Sequence, residues 1–171
     1  FVAGNRVLLS ETFTHQLLAS NDPIAPVHWS ALQWLSAKVR SDTNRAMPWL
    51  RLSLGRLRQQ RARRWQVLKG CNIGVSRHDF LAVNGFDEAY AGWGREDSDL
   101  AIRLIRHGIL LKDGRYAVPV LHLWHRENDR TELVENDHRL SDVLSSSRTR
   151  ATSGVDRYHM TELDSSVCSP S

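Results

Sequence analysis

The sequence predicts an α/β domain, a mixed sheet flanked by helices, on three observations. It opens on a strand-like apolar stretch, FVAGNRVLL, that runs directly into helix-forming sequence. Its middle carries a strongly amphipathic helix, EDSDLAIRLIRHG, closed by a glycine. Beyond that glycine, ILLKDGRYAVPVLHLWHREN reads as two strands around Asp113-Gly114, the second from about 117 to 124, with Pro119 marking a strand start or edge.

With 171 residues, 41% of them hydrophobic, the chain can bury a real core, and its length predicts one domain. The net charge of +4 arises from 23 basic and 19 acidic residues, an excess too mild to define a partner. No run approaches the ~18 apolar residues of a membrane span. Two cysteines, Cys71 and Cys168, match neither a disulfide framework nor a zinc cluster, so a reducing compartment is the simpler reading. The beginning has neither Met nor a basic leader, and FVAGNRVLL reads as an interior strand, as though the chain starts inside a larger fold.

After that strand, SETFTHQLLAS predicts a helix capped by Ser10 or Thr12, with Phe13, Leu17 and Leu18 at helical spacing. Residues 27–40 predict a second amphipathic helix with Trp29, Leu32, Leu35 and Val39 on its core stripe. From Lys38 to Lys69 there are ten Lys or Arg residues against one acid, Asp42, with leucines interleaved. Such a stretch can bind RNA, lie on an anionic bilayer, clamp a pyrophosphate, or form the solvated face of a helical insertion over 38–68. It carries no aromatic RNP pattern, zinc knuckle or GXXG loop, which disfavours nucleic acid. Next, GCNIGVSRHDFLAVNGFDEAY combines a short strand, a helix and an Asn84-Gly85 turn.

The helix near residue 97 has Asp97 or Ser98 as candidate N-cap, a buried stripe of Leu100, Ala101, Leu104 and Ile105, and Gly108 as its C′ residue. Glu96, Asp97 and Asp99 suit the positive end of the helix dipole, so capping alone accounts for their charge. Capping does not account for Trp93 in Gly-Trp-Gly. An indole beside carboxylates is also a way to hold a sugar, the ring on C–H groups and the acids on hydroxyls, with one acid free to act as general base. Finally, His122 and His125 form an HxxH at the last strand's end, open to a structural reading or to a transition metal.

Three blocks in order, GCNIGVSRHDFLAVNGFDE, GWGREDSDLAIRLIRHG and VLHLWHREND, make residues 69–136 resemble the C-terminal half of inverting, metal-dependent GT-A glycosyltransferases. The likeness is to the galactosyltransferase C-terminal module shared with bacterial family-two enzymes. It implies that residues 1–144 are a partial glycosyltransferase domain lacking the N-terminal nucleotide-binding half, where the family's metal D-x-D motif resides. Asp97-Ser98-Asp99 is not that motif, because it opens a helix after W-G-x-E, whereas the family's D-x-D closes a strand. In that family the acid after the Glu is the general base, which makes Asp97 the candidate catalytic residue. Trp93, Gly94, Arg95 and Glu96 are then acceptor-binding, with Arg95 standing where many members have glycine. His125 corresponds to the late metal ligand, His122 to a second, and Mn²⁺ or Mg²⁺ to the cofactor. Asn72, Arg64 and Lys69 are donor-side candidates.

The function so implied is hexosyl transfer, with inversion, from a nucleotide-sugar donor to a saccharide or lipid-linked saccharide acceptor. Cell-surface polysaccharide or lipopolysaccharide synthesis is the expected setting, in the cytoplasm or peripherally at the inner membrane face through the 38–69 basic stretch. The alternative is a glycan-binding, membrane-docking or RNA-docking module without chemistry. Residues 145–171, rich in Ser and Thr, have the composition of a disordered tail.

Overall fold

The computed structural model describes residues 1–48, 59–60, 65–114 and 117–158. Where length predicted one domain, the chain divides into two compact units, residues 1–74 with 111–128 and residues 75–110 with 129–171. Both are mixtures of helix and irregular chain, and the strands belong to the first.

In the first unit the opening apolar stretch is split at Gly4 into β1 (Val2–Ala3) and β2 (Asn5–Leu8). Gly4 is required there, because a Cβ would come within 2.2 Å of the Asn72 amide. The Gly4 N–H donates to the Asn72 carbonyl at 2.8 Å, and the Asn72 Nδ2 donates to the carbonyls of Asn5 (2.8 Å) and Val118 (2.6 Å). Asn72 thus ties the kink in place. With β3 (Gln59–Gln60), β4 (Ile73–Gly74), β5 (Leu111–Asp113) and β6 (Pro119–His122), the strands form two sheets. One has the order β3-β5-β1-β4, with β1 parallel to β5 and antiparallel to β4. The other is the parallel pair β2-β6.

The two strands around Asp113-Gly114 are therefore present, with Pro119 first in β6 as expected, but they do not form a hairpin. Each pairs with a successive piece of the opening strand. The turn is anchored to β1 by the Gly114 N–H on the Ala3 carbonyl at 2.7 Å.

Helix α1 (Glu11–Leu18) begins as predicted, the Ser10 hydroxyl accepting from the Phe13 N–H at 3.2 Å. Helix α2 (Ala31–Val39) starts at a capping box between Ser30 and Gln33. Its buried face differs from the expected stripe. Trp34 and Ala37 point into the core, and Trp29 lies before the helix, while Leu32, Leu35 and Val39 are 77%, 50% and 78% exposed. The aromatic cluster decides this: the Trp29 ring stands 5.5 Å from Phe13 and 5.2 Å from Trp34, close to edge-to-face. Val7, Leu9, Phe13, Leu17 and Trp34 form that core, with Trp29 and Leu121 against it.

The expected helical insertion over 38–68 is helical, where it is described, only at its two ends, in the last turn of α2 and in a 3-10 turn over Trp65–Val67. Helix α2 ends at Val39, Ser41 has a left-handed φ of 64°, Thr43 bridges Leu9, and residues 59–60 are strand. Residues 49–58 and 61–64 of the insertion, Arg64 included, lie outside the described residues.

The second unit holds α3 (Arg77–Ala82), α4 (Glu96–Arg106) and α5 (Leu133–Ser145). Helix α3 ends in a Schellman motif with Asn84 left-handed at C′ and the Gly85 N–H on the Phe80 carbonyl at 2.8 Å. Helix α4 ends the same way at Gly108 (φ 89°), the Ile109 N–H reaching the Leu104 carbonyl at 3.0 Å. That fulfils the glycine signal. Leu100, Ala101, Ile102 and Leu104 are buried with Val83, Leu140 and Val143. Arg106 joins α4 to α5 through the Val143 carbonyl at 2.7 Å.

Residues 145–158 depart from the disordered tail that composition predicted. Ala151 is buried, its N–H donates to the Val83 carbonyl at 3.0 Å, and its carbonyl accepts from the buried Asn84 amide at 3.1 Å. Ser- and Thr-rich sequence stays ordered here because these backbone groups close over α3's end. Residues 159–171, with Cys168, lie outside the described residues.

Candidate acceptor and metal half-sites

The segment that carries the candidate base is built by backbone conformation. Gly92, Gly94 and Arg95 all have positive φ, at 63°, 105° and 80°. Two glycines adopt this without steric penalty, whereas Arg95 does so at a cost of about 1–2 kcal/mol. This is the position where glycine was expected from the family pattern. The tight turn delivers the chain into α4 with Arg95 itself as N-cap residue and no side-chain cap. The expected N-cap, Asp97 or Ser98, is therefore displaced by two or three positions. Glu96 and Asp97 occupy the first two helical positions, where free N–H groups favour negative charge.

The three carboxylates have separate fates. Glu96 and Asp97 are half-buried, and Asp97 Oδ1 accepts from the Ser98 hydroxyl at 3.2 Å. Asp99 is fully buried and paired with the equally buried Arg103, whose Nε and Nη2 lie 2.9 and 2.6 Å from Oδ2. Arg103 Nη1 goes on to the Val83 carbonyl at 2.6 Å. Asp99 is thus withdrawn from solvent, and the Asp97-Ser98-Asp99 sequence does not present two carboxylates to one ligand. Of the three acids, only Glu96 and Asp97 remain partly exposed.

Trp93 is exposed, and its mount is specific. The buried Asn136 on α5 donates from Nδ2 to the carbonyls of Ala91 (2.8 Å) and Trp93 (3.4 Å), clamping the turn from behind. The Arg130 guanidinium lies 4.7 Å from the indole centroid. Gly94 is close-packed, since a Cβ there would stand 3.2 Å from Leu133. The Arg95 Nε donates to Asp137 on the surface of α5. Tyr90, just upstream, has its phenol pushed up by burial and by the Asp99 charge, so its hydroxyl stays protonated.

His122 and His125 belong to the first unit. Their rings stand 5.2 Å apart, centroid to centroid, in an edge arrangement. His125 Nδ1 is 3.0 Å from the Arg126 carbonyl, which makes Nδ1 the protonated nitrogen and leaves the Nε2 lone pair free. Burial, then the charges of Arg6 and His125, hold the His122 imidazole below its usual range, favouring the neutral form that ligates metals. The chain between them is held down by the Trp124 N–H on the Thr14 hydroxyl at 2.9 Å. Two imidazoles this close fit part of a divalent-metal site. No group of three or more His, Cys, Asp or Glu able to hold a metal occurs among the described residues.

Of the donor-side candidates, Asn72 spends both amide hydrogens on backbone carbonyls within the sheets, and Lys69 is exposed next to it. Asn72 is thus a structural tie whose N–H groups are already used.

Sequence reasoning missed Asn136, Arg130 and Arg103. Asn136 and Arg130 lie 30 or more positions beyond Trp93, so spacing carries no trace of them. Arg103 was detectable as the i+4 partner of Asp99 on a helix face otherwise apolar.

Comparison with known proteins points to glycosyltransferases. Residues 54–122 match the family model described as the N-terminal domain of galactosyltransferase. That range contains the Trp93–Asp99 segment and His122 and stops short of His125. The description places the domain at a galactosyltransferase N-terminus, whereas the motif resemblance was to a C-terminal module; both are galactosyltransferase assignments. Relatives by sequence include proteins named as glycosyltransferases. The chain is 50% identical over 45 residues to validoxylamine A glucosyltransferase of Streptomyces hygroscopicus subsp. jinggangensis, covering 26% of this chain and 11% of that protein. It is 38% identical over 64 residues to human chondroitin sulfate N-acetylgalactosaminyltransferase 2, 37% of this chain and 12% of the relative. With mouse beta-1,4-galactosyltransferase 1 it shares 28% identity over 90 residues, 53% of this chain and 22% of the relative. The chain thus carries a segment similar to part of these glycosyltransferases and spans at most about a quarter of their length. No solved structure matches it.

Proposed function

We propose that the second unit carries the acceptor half-site of an inverting, metal-dependent nucleotide-sugar glycosyltransferase of the GT-A, family-two-like kind, with Asp97 as general base. The observation that carries this reading is the division of labour at the start of α4. The turn that bears an exposed indole is clamped through its backbone by Asn136, two first-turn carboxylates are partly exposed, and the third is locked onto Arg103.

In this mechanism Trp93 stacks on the C–H face of the acceptor sugar, and Glu96 accepts from one of its hydroxyls. Asp97 takes the proton of the reacting hydroxyl as its oxygen bonds to the anomeric carbon of the donor. The bond from that carbon to the nucleoside diphosphate breaks on the opposite face, which inverts the configuration. His125 through Nε2, with His122, would hold a divalent cation, Mn²⁺ or Mg²⁺, whose chemistry is to neutralise a leaving diphosphate. The donor is a nucleotide-hexose, and cell-surface polysaccharide or lipopolysaccharide synthesis at the cytoplasmic membrane face is the setting we assign.

The test is Mn²⁺-dependent release of nucleoside diphosphate from nucleotide-hexoses in the presence of oligosaccharide acceptors, using protein that includes this chain. Acceptor-dependent release supports transfer. Saccharide binding without release, under conditions where donor binds, would instead make the site a lectin-like module.

A further inference from the structure

We infer that the outward face of α2, in the first unit, is a docking surface for an anionic lipid bilayer. Helix α2 is apolar on two sides. Trp34 and Ala37 face the core, and Ala31, Leu32, Leu35 and Val39 lie on a separate arc of about 100°. That arc is open to solvent: Leu32 and Val39 are more than three-quarters exposed, and Leu35 is half exposed. It is continuous with Ala46 and Met47, which line a shallow groove together with Ala31, Leu32 and Leu35. Lys38, exposed, borders the arc on the helix itself. Apolar side chains at this exposure are costly in water unless something covers them.

Charge identifies the occupant. From Lys38 to Lys69 the sequence carries ten basic residues and one acid, and that acid, Asp42, is already paired with Arg40 at 2.8 Å. A second copy of this chain would bring the same positive stretch against itself. An anionic bilayer accepts both features: leucines enter the headgroup boundary while lysines and arginines stay with lipid phosphates. This inference is independent of the sugar-transfer reading.

The experiment is vesicle co-sedimentation of the 171-residue chain with phosphatidylcholine vesicles, with and without 30% phosphatidylserine (roughly the anionic content at which surface potential attracts basic segments). Binding should be at least about tenfold tighter to the anionic vesicles, and Leu32→Glu with Leu35→Glu should reduce it by at least about tenfold. Should the glutamate variant fail to fold by circular dichroism, Leu32→Gln with Val39→Gln is expected to give a smaller loss in the same direction. Absence of vesicle binding would overturn the inference. So would binding that the α2 variants leave unchanged, or a concentration-dependent dimer that they dissolve.

Discussion

The Arg130 guanidinium stacks 4.7 Å from the centroid of the Trp93 indole, so one face of the ring assigned to the acceptor sugar is already covered by a cation. Asn136 meanwhile holds the backbone of the turn that carries the indole. An exposed cation–π contact contributes about 0.5–1 kcal/mol. Arg130→Ala should therefore weaken oligosaccharide binding by about two- to fivefold, read by tryptophan fluorescence titration, with turnover at saturating acceptor little changed. Tighter binding in the variant would mean that the sugar uses the face Arg130 covers.

The Asp99–Arg103 pair makes a prediction about stability. Both side chains are fully buried, and Asp99 Oδ1 has no hydrogen bond, only the Arg148 guanidinium at 3.7 Å, which is too far to replace the two bonds from Arg103. Arg103→Met should cost about 3–5 kcal/mol in urea denaturation, because it strands a buried carboxylate. Asp97→Asn, at a half-buried position, should stay within about 0.5 kcal/mol of the parent.

These two residues also show what was legible in the sequence. Helix α4, its Gly108 stop and the apolar positions behind it follow from local periodicity and cap chemistry, and the structure has them. The side chains that finish the site, Asn136 and Arg130, reach it from the far side of β5 and β6 in the chain, which no local pattern records. The same limit explains the strand pairing. Asp113-Gly114 has hairpin chemistry, yet β5 and β6 pair with β1 and β2, which come about a hundred residues earlier. The stripe on α2 misled for another reason: two indoles outcompeted three aliphatic side chains for the core.

Arg95 is strained by its left-handed backbone, at φ 80°. Arg95→Gly should relieve about 1 kcal/mol, against the loss of an exposed ion pair with Asp137 that contributes little. The net expectation is a neutral to slightly raised melting temperature. A clear destabilisation would show that the Arg95 side chain holds the turn.

Cation binding by His122 and His125 should follow their protonation. The His122 imidazole is held below its ordinary value of 6.5, chiefly by burial. The unfolded chain then takes up the proton first, so the stability associated with neutral His122 is present above 6.5 and is lost as pH falls through the lowered folded value. Calorimetric Mn²⁺ binding should accordingly persist at neutral pH and weaken below 6.5. His125→Ala should reduce Mn²⁺ affinity by about tenfold or more at neutral pH; unchanged affinity would remove His125 from the metal site.

Asp97→Asn is the most direct test of the acceptor half-site. The substitution keeps size and one acceptor oxygen while removing the charge and the ability to take a proton. In protein that turns over nucleotide-hexose and acceptor, the variant should lose about 10²–10⁴-fold in kcat with acceptor KM nearly unchanged. Turnover within about threefold of the parent, where general-base loss predicts far more, would contradict the assignment of Asp97 as the base.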